Sequence, residues 1–404
     1  MTLSLCMIVK DEAETLPGCL AHVTDLVDEV VVCDTGSTDN TVDVAKSLGA
    51  IVHTLPWEND FAAARNAALD KVTGDWVLVL DADETLTDAG RALVQRVREG
   101  RPLGETPLDA VVLITLLRCE RDAEQAPYSA VSRLFRRRPD LRFARPYHET
   151  VDDSVAALMQ AEPQWQVVTV PEVAIDHWGY QPDAIAQRDK FQRAQTIMAA
   201  YLKQHPDDPY ICNKLGALYG QAGEWETGRA LLQRGLQQVQ PDDPFTTYEL
   251  HYHLGLADRA ADRLDEAAAH YRIALEQPIP DRLKLGAYIN LGSLKKRQGD
   301  LLGAVDLFTK ATEIAPDFAI AHYNLGAVQR ARGYLDPAIA AYQTAIALQP
   351  TYAEAHQNLG VALFKLGKLP ESVKSFQRAI AIYQHTDPEA ARRLQDNLRQ
   401  LGQP

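Results

Sequence analysis

Two carboxylates one residue apart, Asp81 and Asp83 in Val79-Leu80-Asp81-Ala82-Asp83-Glu84, follow directly on the apolar run Trp76 to Leu80. In an extended chain residues i and i+2 point the same way, so the two carboxylates converge just past a buried strand. Their repulsion is costly unless a cation or hydrogen bonds compensate it. Mg2+ or Mn2+ would do so, because such ions take one or two carboxylates and complete their shell with substrate phosphates. A plainer role is also open, in which Asp81 and Asp83 cap a helix that begins near Thr85 or Thr87. Two more polar clusters follow apolar runs in the same manner. Lys10-Asp11-Glu12 follows Leu3 to Val9, and Asp34-Thr35-Gly36-Ser37 follows Glu29 to Cys33.

Clusters of this kind need a sheet to hold them. Ile51 to Leu55 reads as a weaker strand, and Ala110 to Leu117, Val131 to Phe135 and Gln166 to Ile175 read as further ones. Thr41 to Leu48 and Ala62 to Val72 read as helices between strands. Strand–helix alternation predicts a mainly parallel α/β sheet. Ligands of open α/β sheets bind at the carboxyl ends of strands, which is where the polar clusters fall.

Near residue 200 the pattern changes. The second half has almost no β-branched runs and is rich in Ala, Leu, Gln and Tyr. Asn290-Leu291-Gly292, Asn324-Leu325-Gly326 and Asn358-Leu359-Gly360 recur every 34 residues. Gly299, Gly333 and Gly367 keep the same period, as do Phe308, Tyr342 and Phe376, and Ala311, Ala345 and Ala379. This period and pattern resemble the tetratricopeptide repeat, a helix–turn–helix unit. Its glycines fall where a first helix ends or packs closely, and its aromatic and alanine positions fall on a second helix facing the neighbouring unit. Looser copies occur around Leu215-Gly216 and Leu254-Gly255, which gives about five repeats, and Pro388 to Leu401 is a polar helix suited to capping the open end. The expected division is a catalytic α/β domain over residues 1–200 and an all-α repeat solenoid over residues 201–404. His251, His253 and His270 fall in the solenoid without a carboxylate cluster and read as packing or surface residues.

Composition narrows the partners. Of 404 residues 46% are hydrophobic and 24% charged, enough apolar material for sizeable cores and too much for a disordered chain. With 41 basic and 55 acidic residues the net charge is −14, which argues against non-specific nucleic-acid binding. The longest strongly apolar run, Ala110 to Leu117, is far short of the ~20 residues of a membrane helix, so no membrane span is expected. The N-terminus, Met1-Thr2-Leu3-Ser4-Leu5, does not read as a signal peptide. Five cysteines without a paired spacing argue against a disulfide framework or a zinc knuckle. A reduced, cytoplasmic protein is expected.

Four segments of the first half resemble family-two, GT-A-fold inverting glycosyltransferases. Val30-Val31-Val32-Cys33-Asp34-Thr35-Gly36-Ser37-Thr38-Asp39-Asn40-Thr41 is similar to the VDDGSTDxT signature. Cys6-Met7-Ile8-Val9-Lys10-Asp11-Glu12 is similar to the first strand, Ala63-Ala64-Arg65-Asn66-Ala67-Ala68 to the ARNxG segment, and Val79 to Glu84 to the LDxDD region. They fall in the family's order across about residues 2 to 90. Cys33 departs from the signature, standing where many members carry its first Asp. The resemblance implies a Rossmann-like GT-A sheet that binds a nucleotide sugar, most commonly UDP-linked, with Mn2+ or Mg2+. It implies that Asp34 reads the nucleobase, that Arg65 lies near it, and that Lys10 and Glu12 line the nucleotide pocket. It implies that Asp81 faces ribose or metal and that Asp83 binds the metal.

Inversion requires a base for the acceptor's proton. Many members take it from an acidic pair about 90 residues past the DxD turn, and that pair has no clear copy here. An Arg133-Leu134-Phe135-Arg136 segment followed by Tyr147-His148-Glu149-Thr150 resembles the branch of the family that carries repeats. Glu149 is then the expected base with His148 orienting it or touching the acceptor, and Asp152 and Asp153 compete for the role. Asp176-His177-Trp178-Gly179-Tyr180 resembles that branch's IxHxGY segment, which makes His177 a further metal ligand. Arg136 to Arg138 could hold phosphate or be a solvated turn. The repeats would present an acceptor protein or dock a partner. The alternative is a non-catalytic repeat scaffold with a nucleotide-binding, transferase-like domain.

Overall fold

In the computed structural model, which describes residues 1–121, 123, 126–178 and 184–400, the apolar runs of the first half become one mixed sheet. Its strands are β1 (Leu3–Val9), β2 (Glu29–Asp34), β3 (Ile51–Thr54), β4 (Trp76–Val79), β5 (Glu84–Leu86), β6 (Val111–Glu120), β7 (Tyr128–Arg136) and β8 (Gln166–His177). They lie in the order β3-β2-β1-β4-β7-β6-β8-β5. The pairs within β3-β2-β1-β4 are parallel, as is β6 with β8. The other three neighbouring pairs are antiparallel. Helices α1 (Leu16–Ala21), α2 (Thr41–Ser47), α3 (Phe61–Leu69), α4 (Asp88–Arg98) and α5 (Asp152–Ala161) fall between the strands.

The parallel core is buried on both faces, so its strands read as continuous apolar runs rather than alternating ones. Leu3, Leu5 and Met7 of β1 pack into one core with Trp76 and Leu78, and Cys6 packs into the other with Val31, Val77 and Phe135. Parallel pairing sets the ends of β1, β2 and β4 side by side. Val9 is opposite Asp34, and Cys6 is opposite Val79 two residues before Asp81.

Asp81 and Asp83 cap no helix. The short strand β5 intervenes, and α4 is capped by Thr87, whose hydroxyl accepts from Gly90 N at 3.0 Å and donates to the Val173 carbonyl at 2.6 Å. This seats the first turn of α4 on β8 so closely that a Cβ at Gly90 would lie 2.0 Å from the Ala174 carbonyl oxygen. Backbone cannot yield as a side chain can. Gly90→Ala is therefore expected to cost about 1–3 kcal/mol or more, read as a lower denaturant midpoint at unchanged m-value. An unchanged midpoint would mean that α4 can ride away from β8.

Past the sheet come α6 (Ala184–Gln204), α7 (Pro209–Gln221), α8 (Trp225–Gln238) and α9 (Pro244–Ala260). The first compact unit runs from Met1 to Ala257 and so contains the earliest helical pairs together with the sheet. The second unit, from Asp258, holds α10 (Leu264–Glu276), α11 (Leu285–Arg297), α12 (Leu301–Ile314), α13 (Ala319–Ala331), α14 (Leu335–Leu348), α15 (Ala353–Lys365), α16 (Leu369–Thr386) and α17 (Pro388–Gln400). Leu401, the last residue assigned to the capping helix, lies outside the described residues.

The 34-residue period has a physical cause in the second unit. Gly299, Gly333 and Gly367 end α11, α13 and α15 at φ of +84°, +86° and +79°, the left-handed conformation that glycine adopts at a helix end without steric cost. A Cβ at Gly292, Gly326 or Gly360 would come within 2.8 Å of the ring of Phe308, Tyr342 or Phe376. Each recurring ring therefore seats on the glycine of the first helix of its own repeat, a partner the sequence reading did not assign. Tyr342 also joins Leu359 and Ala362 of α15, the next repeat.

Candidate functional site

The carboxyl ends of β1 and β2 are laced by their loops. Ser37 Oγ accepts from Asp11 N at 2.9 Å, Asp11 accepts from Thr38 N at 2.6 Å, and Thr41 Oγ1 accepts from Glu12 N at 2.7 Å. Asp34 is buried and spends its carboxylate inside this turn, accepting from Gly36 N at 3.1 Å and Ser37 N at 3.2 Å. Gly36 permits the turn with φ +102°. These loops form one wall of a cleft of about 1560 Å³ within the first unit. Lys10, Glu12, Arg65, Asp81, Asp83, His148, Glu149 and His177 all line it; next to Asp34 it is Thr35 that does so. Burial, with Asp83 and Asp81 nearby, pushes the Glu12 carboxyl up despite a hydrogen bond from Thr15.

Asp81 and Asp83 do not act as a pair. Asp81 is held by two arginines: Arg65 Nη2 donates to one oxygen, and Arg133 Nη2 donates to the other at 2.8 Å. Burial alone would raise its carboxyl, but the Arg133 and Arg65 guanidiniums hold it well below the usual carboxylate range. Arg65, at 2% exposure on α3, also reaches Glu149 with Nε at 3.1 Å. Its Nη1 is buried without a partner.

Asp83 faces His177 instead, with Nε2 of the ring 3.1 Å from Oδ2. Nδ1 of the same ring bonds Glu120. Hydrogen bonds to Asp83 and Glu120 push the His177 pKa up to about 10, and in turn the Glu120 carboxyl is brought down to about 2. Arg118 holds Glu120 from behind and donates to the fully buried Glu84 at 2.7 Å, and Glu84 accepts from Asp81 N at 2.9 Å. A continuous network thus joins the Asp-Ala-Asp turn to the end of β8. Gly179 and Tyr180, which follow His177 in the sequence motif, lie outside the described residues.

Across the cleft, Glu149 is ion-paired to Arg65 and Asp153 to Arg145 at 2.6 Å. Among the described residues Asp152 holds no ion pair. It opens onto the cleft at the start of α5 and accepts hydrogen bonds from Ser132, at 2.7 Å, and Thr150. Enclosure raises its carboxyl; the Thr150 and Ser132 bonds offset this only in part, and Asp153 adds to the rise. His148 opens onto the same space at φ 55°, a left-handed conformation uncommon outside glycine. Enclosure and the charge of Lys214 push its pKa down to about 3, so the ring is neutral at pH 7.

Arg136 to Arg138 hold protein groups rather than the cleft. Arg136 donates to the Val111 and Leu108 carbonyls, Arg137 to Gly74, and Arg138 pairs with Asp140 and Glu162. His253 bonds Asn213 at 2.9 Å inside the helical layer, a packing role. The residues that sequence reasoning missed are Arg118, Glu120 and, as the second clamp on Asp81, Arg133. Arg118 lies in a strand where spacing carries no motif, and Arg133 opens the Arg133-Leu134-Phe135-Arg136 segment, which names no partner for it; the pairing of β7 with β4 and of β6 with β7 and β8 brings both to the turn.

A parallel-cored sheet with polar clusters at its carboxyl edge, followed by paired helices, is the architecture that the sequence resemblance implies. The chain belongs to the family 2 glycosyltransferases that carry tetratricopeptide repeats. The glycosyl transferase family 2 model matches residues 4–163, and tetratricopeptide repeat models match residues 285–318 and 353–386, with a TPR repeat model over 328–367. A TPR repeat-containing protein of Synechococcus elongatus is 46% identical over 313 residues, covering 78% of this chain and 75% of that protein. The SPbeta prophage-derived glycosyltransferase SunS of Bacillus subtilis is 26% identical over 210 residues, 52% of this chain, and the chain spans about half that protein's length, 47%. The crystal structure of MamA is 23% identical, covering 43% of this chain and 96% of that one, with a TM-score of 0.37. Family membership implies a nucleotide-sugar donor, and the repeats imply protein interaction. No helix among the described residues is long and apolar enough to cross a membrane.

Proposed function

We propose that the cleft binds a UDP-linked sugar with Mn2+ or Mg2+ and transfers the sugar, with inversion, to a polypeptide acceptor. The observation that carries this reading is the pairing of Asp83 with His177 at the ligand edge, with Glu120 behind the ring. Among the described residues no group of three or more such ligands is gathered. Two protein donors suit an ion that completes its shell with diphosphate oxygens, and a carboxylate behind a ligating imidazole fixes its tautomer and orientation. Asp83 and His177 would hold the ion, which would take the place of the Nε2 proton that now lies between them, and Asp81, committed to two arginines, would not. The ion would neutralise charge building on the departing diphosphate.

The chain's own groups do the rest. Arg133, at the cleft wall, adds positive charge where the diphosphate leaves. Lys10 and Glu12 line the nucleotide side; Asp34 supports the nucleobase by shaping the turn. Asp152, rather than Glu149, takes the acceptor proton, because it faces the cleft with no ion pair among the described residues, and enclosure raises its carboxyl in spite of the nearby Arg145 charge. Glu149 is instead occupied by its ion pair with Arg65. The acceptor oxygen bonds to the anomeric carbon as its proton passes to Asp152. The bond from that carbon to the phosphate oxygen breaks, and its electron pair leaves with the nucleoside diphosphate.

Calorimetric titration of UDP tests the donor reading. Binding is expected to depend on Mn2+ and to weaken at least about 100-fold in Asp83→Ala, since even outer-shell losses cost 10–100-fold. UDP affinity indifferent to both Mn2+ and Asp83 would overturn the metal assignment. No binding of UDP, GDP or dTDP would favour the scaffold.

A further inference from the structure

Glu84 on β5 and Glu120 on β6 both stand opposite His177 of β8 in register, so the strand that carries the imidazole lies between two carboxylates. Arg118 sits two residues before Glu120 on β6 and shares its face. Neighbouring strands lie ~4.8 Å apart, which puts β6 and β5 about 10 Å from one another across β8. The Arg118 side chain bridges that span. Its Nη1 donates to Glu84 at 2.7 Å and its Nε donates to Glu120 at 2.8 Å. Resting on the donor reading above, we propose that Arg118 is a positioning residue of the ion site. It binds neither ion nor nucleotide, and by holding Glu84 and Glu120 on one frame it sets how Asp83 and His177 face each other.

The hydrogen bonds form a closed ring. One arm runs from Arg118 through Glu84, whose other oxygen accepts from Asp81 N at 2.9 Å. That bond pins the turn on which Asp83 stands. The second arm runs through Glu120, one oxygen of which accepts from Arg118 and from the Ser129 hydroxyl at 3.0 Å, while the other meets His177 Nδ1. The arms close where His177 Nε2 meets Asp83 Oδ2. Main-chain pairing places the strands, and Trp178 N donates to the Asp83 carbonyl at 3.1 Å. The plane of the imidazole is set by Glu120, and Arg118 with Ser129 sets Glu120. Glu84 is fully buried and, among the described residues, has no ion pair but that with Arg118; removing the partner of such a charge is costly. A guanidinium carries its donors in one rigid plane and so holds two carboxylates at a fixed angle, whereas an ammonium is a point charge on a flexible stem. Arg118 also lines the cleft, yet each of its three nitrogens already meets a carboxylate. It is therefore a frame for the site rather than a contact for the diphosphate.

The test titrates UDP into the full chain with and without Mn2+, and measures each variant's urea midpoint alongside. The readout is the ratio of UDP affinity with Mn2+ to UDP affinity without it. Arg118→Lys keeps a charge beside Glu84 and is expected to fold. It should lower the ratio about 10–100-fold, the cost of losing an outer-shell partner, while metal-free UDP affinity stays as in the wild type. Arg118→Met combined with Glu84→Gln removes the buried acid that the first change alone would strand, and the same fall is expected. A lower urea midpoint with an unchanged ratio in both variants would make Arg118 merely structural and overturn the proposal. An equal loss of UDP affinity with and without Mn2+ would make it a direct phosphate contact and overturn the proposal as well. Either result, in a wild-type protein whose UDP affinity depends on Mn2+ and Asp83, sinks this inference alone. A wild-type protein indifferent to Mn2+ sinks the metal assignment and the role of Arg118 with it.

Discussion

An Asp152→Asn variant is expected to bind nucleotide with wild-type affinity and to transfer sugar about 10²–10⁴-fold more slowly, the usual contribution of a general base. The substitution keeps the size of the side chain, accepts one of the two hydrogen bonds from Ser132 and Thr150 with its carbonyl oxygen and donates its amide to the other hydroxyl, so the cleft keeps its shape. The pH profile separates this role from a structural one. The Asp152 carboxyl is raised by enclosure and by Asp153, above the ordinary Asp value near ~3.9. Transfer should therefore fall as pH drops through that raised value, because the protonated acid accepts nothing. The asparagine variant should lack this acid limb. Stability follows the opposite sign. A carboxyl raised on folding favours the protonated form, so at neutral pH its charge opposes folding, and Asp152→Asn should melt no lower than the wild type. Glu149→Gln is expected to behave otherwise, because it loosens the pair with buried Arg65. A Glu149→Gln enzyme that keeps its stability and nucleotide affinity but loses transfer would return the base to Glu149.

The difference between these two carboxylates marks where the sequence stops being legible. The turn at Asp81 to Glu84 and the loops after β1 and β2 could be picked out by residue type and spacing, because each follows a strand end directly, whereas the arginine of α3 was marked only by the resemblance of its segment to ARNxG. The parallel core was equally plain, since burial on both faces leaves continuous apolar runs. The repeats were legible because one steric fact, an aromatic ring seated on a glycine, recurs every 34 residues. What could not be read is which groups consume one another. Asp81 and Asp83 look alike in the chain, yet Asp81 meets Arg65 and Arg133 while Asp83 meets His177. Arg133 reaches Asp81 across 52 residues of sequence and Glu120 reaches His177 across 57. Those meetings depend on antiparallel β7 beside β4 and on β8 returning parallel to β6. At Arg133 the pairing of β7 with β6 also shifts by one residue, between Ile114 opposite Leu134 and Thr115 opposite Ser132, and periodicity in the chain carries no trace of it.

Arg65→Met is expected to destabilise the first unit by about 3–5 kcal/mol, the range for removing one partner from a buried ion network. Arg65 is 2% exposed and serves two carboxylates with different nitrogens, Asp81 through Nη2 and Glu149 through Nε. Without it Glu149, whose side chain is 10% exposed, loses its ion-pair partner, and Asp81 keeps only Arg133. Arg133→Met should cost less, because Arg65 still holds Asp81 and no carboxylate is left alone. Lysine cannot rescue Arg65: one ammonium restores the charge but not the fork that reaches both acids. Adding Glu149→Gln to Arg65→Met should recover part of the loss, since the acid stranded by the first change is removed by the second, and a double-mutant cycle in urea would measure that coupling. If Arg65→Met stays within about 1 kcal/mol of the wild type, water takes the place of the arginine beside Glu149 and the pair is not what holds this wall of the cleft. The same result would free Arg65 for the ligand, and its buried, unpartnered Nη1 would then be the atom to follow in a nucleotide complex.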